Sequence, residues 1–205
     1  GVVTWRNYYE GTGSGIIYVR PFTVSGSVIT LAASPTAADT VTATARQRFP
    51  KVTRLNDDLA VLSYWASTNA LSPNARGIRF VGTSVTISAS VVLATASIDV
   101  SAYAIEVKRI SNTSFICTTT HNDIANTVYS NRIAAGSVDA STAVITMGSP
   151  LTLTTSPVTA TRVCKIAVLT PTLAVFGWLN TYNQVTISGT TLTLGTGGQI
   201  AASTD

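Results

Sequence analysis

Apolar residues along this chain alternate with Thr and Ser in short runs that end at Gly, Asn, Asp, Pro or Ser. Alternation with period two predicts strands, because successive side chains then point to opposite faces of a sheet. Thr23-Val24-Ser25-Gly26-Ser27-Val28-Ile29-Thr30-Leu31 places two alternating arms around Ser-Gly, where glycine supplies the positive φ of a tight hairpin. The arrangement returns in Phe80-Val81-Gly82-Thr83-Ser84-Val85-Thr86-Ile87 and in Thr186-Ile187-Ser188-Gly189-Thr190-Thr191-Leu192-Thr193-Leu194. Ile166 to Leu179 is the longest apolar candidate. Thr170-Pro171-Thr172 interrupts it, so it predicts two strands and falls short of the roughly 18 residues of a membrane span. No stretch has helical periodicity; Ala37 to Ala45 is broken by β-branched Val and Thr.

The alternating runs form a repeat. Residues 52–64 align without a gap on residues 166–178, and residues 107–119 form a weaker copy. Gly1-Val2-Val3-Thr4-Trp5 matches the second half, Ala60-Val61-Leu62-Ser63-Tyr64. Val3, Leu62, Cys117 and Phe176 then correspond, spaced 59, 55 and 59 residues apart. The hairpin motif follows each time. In the third copy it is stretched, with Ile133-Ala134-Ala135-Gly136 leading through a longer turn to Val144-Ile145-Thr146-Met147. A short strand closes each unit, as in Ser90 to Leu93 and Ser149 to Leu153.

Four-stranded antiparallel units at this period predict an all-β fold, a β-propeller of about four blades at residues 1–50, 51–105, 106–161 and 162–205 of a single repeat domain. A β-sandwich is the alternative, but it does not explain motifs recurring in fixed order. The first repeat lacks its opening strand, and the chain opens abruptly at Gly1 with no signal-peptide pattern. A ring of these four units would leave a raw edge. The expectation is therefore a segment of a longer propeller, or half of a ring completed by another subunit.

The Leu-Ala-Val-Leu-x-Tyr strand of residues 59–64, paired with the hairpin of residues 80–87, resembles the propeller repeats of bacteriophage tail proteins. Residues 173–178 with 186–195 carry the same likeness. The third repeat departs from it, with Thr118-Thr119-Thr120-His121 in place of the aromatic strand end and a longer turn at Gly136 to Thr142. The resemblance implies a structural or receptor-binding role in a tail fibre, tail tip or nozzle. It brings no catalytic residue and no cofactor.

Composition supports a surface role. Hydrophobic residues make up 45% of the chain and charged residues only 11%, so Ser and Thr supply the polarity of the surface. The net charge of +4 permits an anionic partner without demanding one. Cys117 and Cys164 share no metal or redox spacing and read as buried free thiols in strands, although a disulfide is compatible with the sequence. His121 is the only histidine and reads as a solvated loop residue, leaving no base for a nucleophile and no zinc site. Asn56-Asp57-Asp58 offers oxygen ligands for calcium, but the aligned Thr170-Pro171-Thr172 makes a plain turn the simpler reading. Glu10 and Glu106 fall at different points of the repeat and form no glycosidase pair. Gly11-Thr12-Gly13-Ser14-Gly15 and Gly195-Thr196-Gly197-Gly198 imitate phosphate cradles without a following helix, and read as loops between strands. The chain is expected not to be an enzyme.

Two sets of residues carry possible binding chemistry. Arg46, Arg48, Lys51 and Arg54 form a basic cluster at the junction of the first two repeats, suited to phosphate groups or to solvated linkage of the blades; one short cluster argues little for nucleic acid. Aromatics close the second strand of the repeats: Trp5 with Tyr8 and Tyr9, Tyr64 with Trp65, and Trp178 with Tyr182. They would either seal one blade against the next or, with Arg20, Arg76 or Arg79 as polar arms, seat a sugar. Tyr64 and Trp65 face opposite ways, which predicts one in the core and the other exposed or in a groove between blades. The function expected is a virion structural or attachment protein, partnered by other tail proteins, further copies of itself or a host surface glycan. The alternative is a secreted, lectin-like propeller.

Overall fold

Three turns show how the sequence starts each hairpin. The side-chain oxygens of Asn56 and Ser111 and the hydroxyl of Thr170 occupy one repeat position. Each accepts the peptide N–H two residues on, from Asp58 (2.8 Å), Thr113 (3.2 Å) and Thr172 (3.3 Å). Short polar side chains at this position therefore fold the turn locally. The carbonyls of Asp58, Thr113 and Thr172 in turn accept N–H bonds from Phe80, Val138 and Ile187, which ties each turn to the third strand of its own sheet.

The computed structural model describes residues 1–8, 15–39, 48–67, 71–82, 84–93, 105–122, 128–157, 164–178 and 181–199. These residues are all-β, in four antiparallel sheets that follow one another along the chain. Sheet I holds β1 (Val2–Tyr8), β2 (Gly15–Ser25), β3 (Val28–Leu31) and β4 (Thr36–Asp39). Sheet II holds β5 (Arg48–Arg54), β6 (Leu59–Ser67), β7 (Leu71–Val81), β8 (Ser84–Ile87) and β9 (Val91–Val92). Sheet III repeats this order with β10 (Ile105–Arg109), β11 (Ser114–Asn122), β12 (Val128–Val138), β13 (Ile145–Met147) and β14 (Leu151–Pro157). Sheet IV holds β15 (Lys165–Thr170), β16 (Leu173–Trp178), β17 (Thr181–Ser188) and β18 (Thr191–Gln199).

The repeat register is kept in the pairing: Val3, Leu62, Cys117 and Phe176 lie opposite Arg20, Arg76, Ala134 and Asn183 in the neighbouring strand. Gly26, Gly82 and Gly189 open the hairpin turns at φ near +58° or +59°. The aligned turn of sheet III runs from Asp139 to Val144 instead, and Ala143 takes the positive φ there.

The fourth row of sheets II and III is split, which gives them five strands where the sequence predicts four. After β3, β8 and β13 the chain bonds back through Ala32, Ser88 and Gly148 to the carbonyls of Pro21, Gly77 and Ala135. It then resumes as β4, β9 and β14. In sheet IV the row is continuous, with a register shift in β17 between Asn183 and Val185. The predicted loop Gly195-Thr196-Gly197-Gly198 thus lies within β18. Close approach explains these glycines: a Cβ on Gly198 would come within 2.8 Å of the Tyr182 ring.

Strand alternation stacks the sheets in chain order. On β6, Ala60, Leu62 and Tyr64 face sheet I, whereas Leu59, Val61 and Trp65 face sheet III. Ile17, Val19 and Ala38 meet Leu62, Tyr64 and Ile78 in the I/II core. The II/III core joins Leu55, Val61, Trp65 and Leu93 to Phe115, Cys117, Val138 and Ile145. The III/IV core joins Ile116, Ile133 and Leu153 to Ile166, Phe176, Val185 and Ile187. Each of these larger apolar side chains contributes about 1.5–3 kcal/mol by burial. A strand buried on both faces reads as a nearly continuous apolar run, as Leu59-Ala60-Val61-Leu62 does.

The first strands of sheets II to IV, β5, β10 and β15, lie side by side along one edge of the stack. Lys51 Nζ and Thr53 Oγ1 donate to the carbonyls of Ile105 and Val107, and Asn56 Nδ2 to that of Asn112. The Ile166 N–H reaches Glu106 Oε2 across the next interface. Sheet I has no strand equivalent to β5 among the described residues, and no apolar cluster there joins sheet IV to sheet I.

A candidate binding groove between sheets I and II

The predicted aromatics are spread through the stack. Trp65 is only 3% exposed and packs in the II/III core, and Tyr64 is fully buried on the other side of β6. Neither faces solvent, because sheet II is covered on both faces and alternation sends each ring into a different core. Trp5 is half-buried on the face of sheet I turned away from sheet II, stacked on Tyr18 with ring centroids 5.6 Å apart and planes at 21°. Tyr182 is half-buried on the outer side of sheet IV, opposite Gly177 and against Gly198. Trp178 is placed in β16 by its backbone, its side chain lying outside the described residues, as does Tyr9 altogether.

Arg76 is held inside the fold. Its Nε donates to the Tyr64 hydroxyl at 3.0 Å and its Nη1 to the Ser88 carbonyl at 2.8 Å, where the fourth row breaks. Arg20 occupies the same repeat position and donates from Nε to the Ala32 carbonyl at 2.7 Å. Both arginines therefore cap the break in their sheet. Ser90 continues the network from the Tyr64 hydroxyl to Asn74 Oδ1. Arg79 is half-buried between Leu59 and Thr86 in the strand register.

The basic cluster is also divided. On β5 Lys51 points toward sheet III, while Arg54 projects from the opposite face and pairs with Asp57 in the adjacent turn. Period-two alternation sets them apart. Arg46 and the side chain of Arg48 lie outside the described residues.

Both thiols are free and buried. Cys117 is in β11, whereas Cys164 immediately precedes β15. Burial pushes the Cys117 thiol up to about 12 and that of Cys164 up to about 11. Asp139 is held well below the usual carboxylate range, first by the Ser141 hydroxyl and then by the N–H and hydroxyl of Thr142. His121 lies in β11 by its backbone.

A concave surface lies where the hairpin of sheet I meets the first turn of sheet II. Two adjoining cavities of about 290 and 350 Å³ share Gly1, Phe22, Asp57 and Phe80. Thr30, Leu31 and Asp58 line one, and Val52, Arg54 and Asn56 line the other. The arrangement combines two phenyl rings with exposed carboxylates and an amide on a short turn, and with the Arg54 guanidinium at the end of β5. An apolar floor with a few convergent polar groups is the usual make-up of a small-ligand site. Comparison with protein families, curated proteins and solved structures finds no match to this chain.

The groove was not singled out by sequence. Asp57 and Asp58 have the signature of a turn, which they form, and Phe80 that of a hairpin arm. The stacking of two sheets is what brings them to Phe22, 58 residues earlier than Phe80. The only sequence signal is the paired acid at a position where the other repeats carry Asn112-Thr113 and Pro171-Thr172.

Proposed function

We propose that this protein is a non-enzymatic attachment component of a bacteriophage tail: an arc of a β-propeller whose I/II groove seats a neutral sugar of the host surface. The sheets support the propeller reading by their order, by their face-to-face cores, and by the first strands gathered along one edge, as blades gather around an axis. The tail assignment rests on the repeat resemblance. The observation that carries the attachment reading is the groove itself, with Phe22 and Phe80 offering apolar ring surface beside Asp57, Asp58 and Asn56. Carboxylates accept hydrogen bonds from paired sugar hydroxyls, and the rings cover the apolar face of a pyranose.

The test is titration of the chain with purified lipopolysaccharide and capsular polysaccharide, read by calorimetry. Saturable binding is expected, weakened about tenfold in Asp58→Ala, whose side chain is exposed, on the scale of a lost hydrogen bond to a charged group. Absence of saturable binding to bacterial surface polysaccharide overturns the attachment reading. Binding confined to eukaryotic-type glycans favours a secreted lectin instead.

A further inference from the structure

Among the described residues, the outer faces of sheets I and IV carry apolar positions whose equivalents are covered in the other sheets. At the first end, Val3 corresponds to Leu62, Cys117 and Phe176, which are 0%, 1% and 0% exposed beneath the preceding sheet, whereas Val3 is 41% exposed. Trp5 corresponds to Tyr64 and Thr119, both buried. At the other end, Leu169 corresponds to Leu55, which is 0% exposed in the II/III core, and to Ile110, packed against the III/IV core; Leu169 itself is 58% exposed. Val175 corresponds to Val61 and Ile116, both fully buried, and is half-buried. Sheet I thus presents the face that meets a preceding sheet, and sheet IV the face that meets a following one.

We infer that the outer face of sheet IV in one copy packs on the outer face of sheet I in a second copy, continuing the stack head to tail. The occupant is a second copy because the required surface exists on this chain and three internal interfaces show it being used: forward faces of sheets I to III each receive a backward face of sheets II to IV. Within one chain those end faces carry no shared apolar cluster among the described residues. The two faces differ, so the contact is heterologous; it closes into a ring or continues as a filament according to the rotation per copy. Rows β16 to β18 meet rows β1 to β3/β4, and β15 extends beyond the free edge of β1. This inference uses the repeat register and not the sugar reading, so its test is indifferent to whether the groove binds glycan.

The experiment is sedimentation or light scattering of the full chain, of Val3→Asp, of Leu169→Asp, and of the two variants mixed in equal amounts. Both positions are exposed, and unchanged thermal unfolding at low concentration verifies the fold. Wild type is expected at a multiple of the chain mass and each variant alone at the chain mass. The mixture is expected to form a one-to-one pair, because the intact sheet IV of Val3→Asp meets the intact sheet I of Leu169→Asp. A monomeric wild type overturns the inference. So does an assembly disrupted by one substitution but indifferent to the other, which signals a like-to-like contact.

Discussion

The I/II and II/III interfaces are built from the two faces of the same strand, yet they differ in kind. Toward sheet III, β6 sends Leu59, Val61 and Trp65 into the largest apolar cluster among the described residues, closed over by Phe115, Leu93 and Ile145. Toward sheet I it sends Leu62 and Tyr64, and the Tyr64 hydroxyl is tied to Arg76 and Ser90. One interface is apolar across its middle, with hydrogen bonds from Lys51, Thr53 and Asn56 confined to its β5/β10 edge. The other combines packing with a polar network and leaves the groove open at its rim. A repeat can therefore keep its backbone register while its two faces differ, one closed by packing and one opening onto a groove.

The comparison breaks most readily at Phe115. Phe115→Ala removes a fully buried ring from the II/III core and is expected to cost about 3–5 kcal/mol in chemical denaturation. A loss under 1 kcal/mol would mean that this interface is no tighter than its neighbour. Gly77→Ala attacks the same interface from the backbone: a Cβ there would run into the Ala143 carbonyl of sheet III. Its expected cost is about 1–3 kcal/mol, from overpacking against a main chain that cannot rotate away. On the other side, Tyr64→Phe keeps the ring and deletes the hydroxyl partner of Arg76. A loss of about 1–3 kcal/mol in the same measurement would show that the network matters to the I/II interface.

Much of this was readable beforehand, because strand alternation and turn chemistry are local. The Ser-Gly hairpins, the Thr170-Pro171-Thr172 break and the correspondence of β1 with β6 all follow from residues adjacent in sequence. The burial of both Tyr64 and Trp65 was not readable, since it depends on sheet II being covered on each side. Arg20 and Arg76 look like polar arms in sequence; only the split fourth row shows the carbonyls they cap. The groove is the least legible feature, as its rings and acids come from two sheets and its polar residues also have a complete local explanation as a turn.

Two smaller effects sharpen the view of the II/III interface. Asp139 folds the long turn that puts Ala143 into that core. Because its folded carboxyl is held below the usual value near 3.9, its contribution is present above that value and fades as pH falls below it toward the folded one. Wild type should therefore lose more melting temperature between neutral pH and about pH 3 than Asp139→Asn does; equal losses would remove the turn from the acid response. Cys117 lies in the same core and Cys164 in the next, with burial raising both thiols. Ellman's reagent at neutral pH should find neither in the native protein and both after denaturation. Rapid native reaction at Cys117 would show that the apolar interface opens.

The split fourth row bears on how these sheets keep apart from chance partners. Outer edges are where an unrelated strand can add and aggregation can start. β3 exposes Val28, Ile29 and Leu31, but it runs for only four residues before the chain turns in to bond Pro21. β8 and β13 stop after four and three residues in the same way. A foreign strand would find a few ladder bonds and then a backbone already satisfied by its own sheet. In sheets I to III the interruption shortens the edge that a foreign strand could join, whereas β18 of sheet IV runs unbroken for nine residues and lacks that protection.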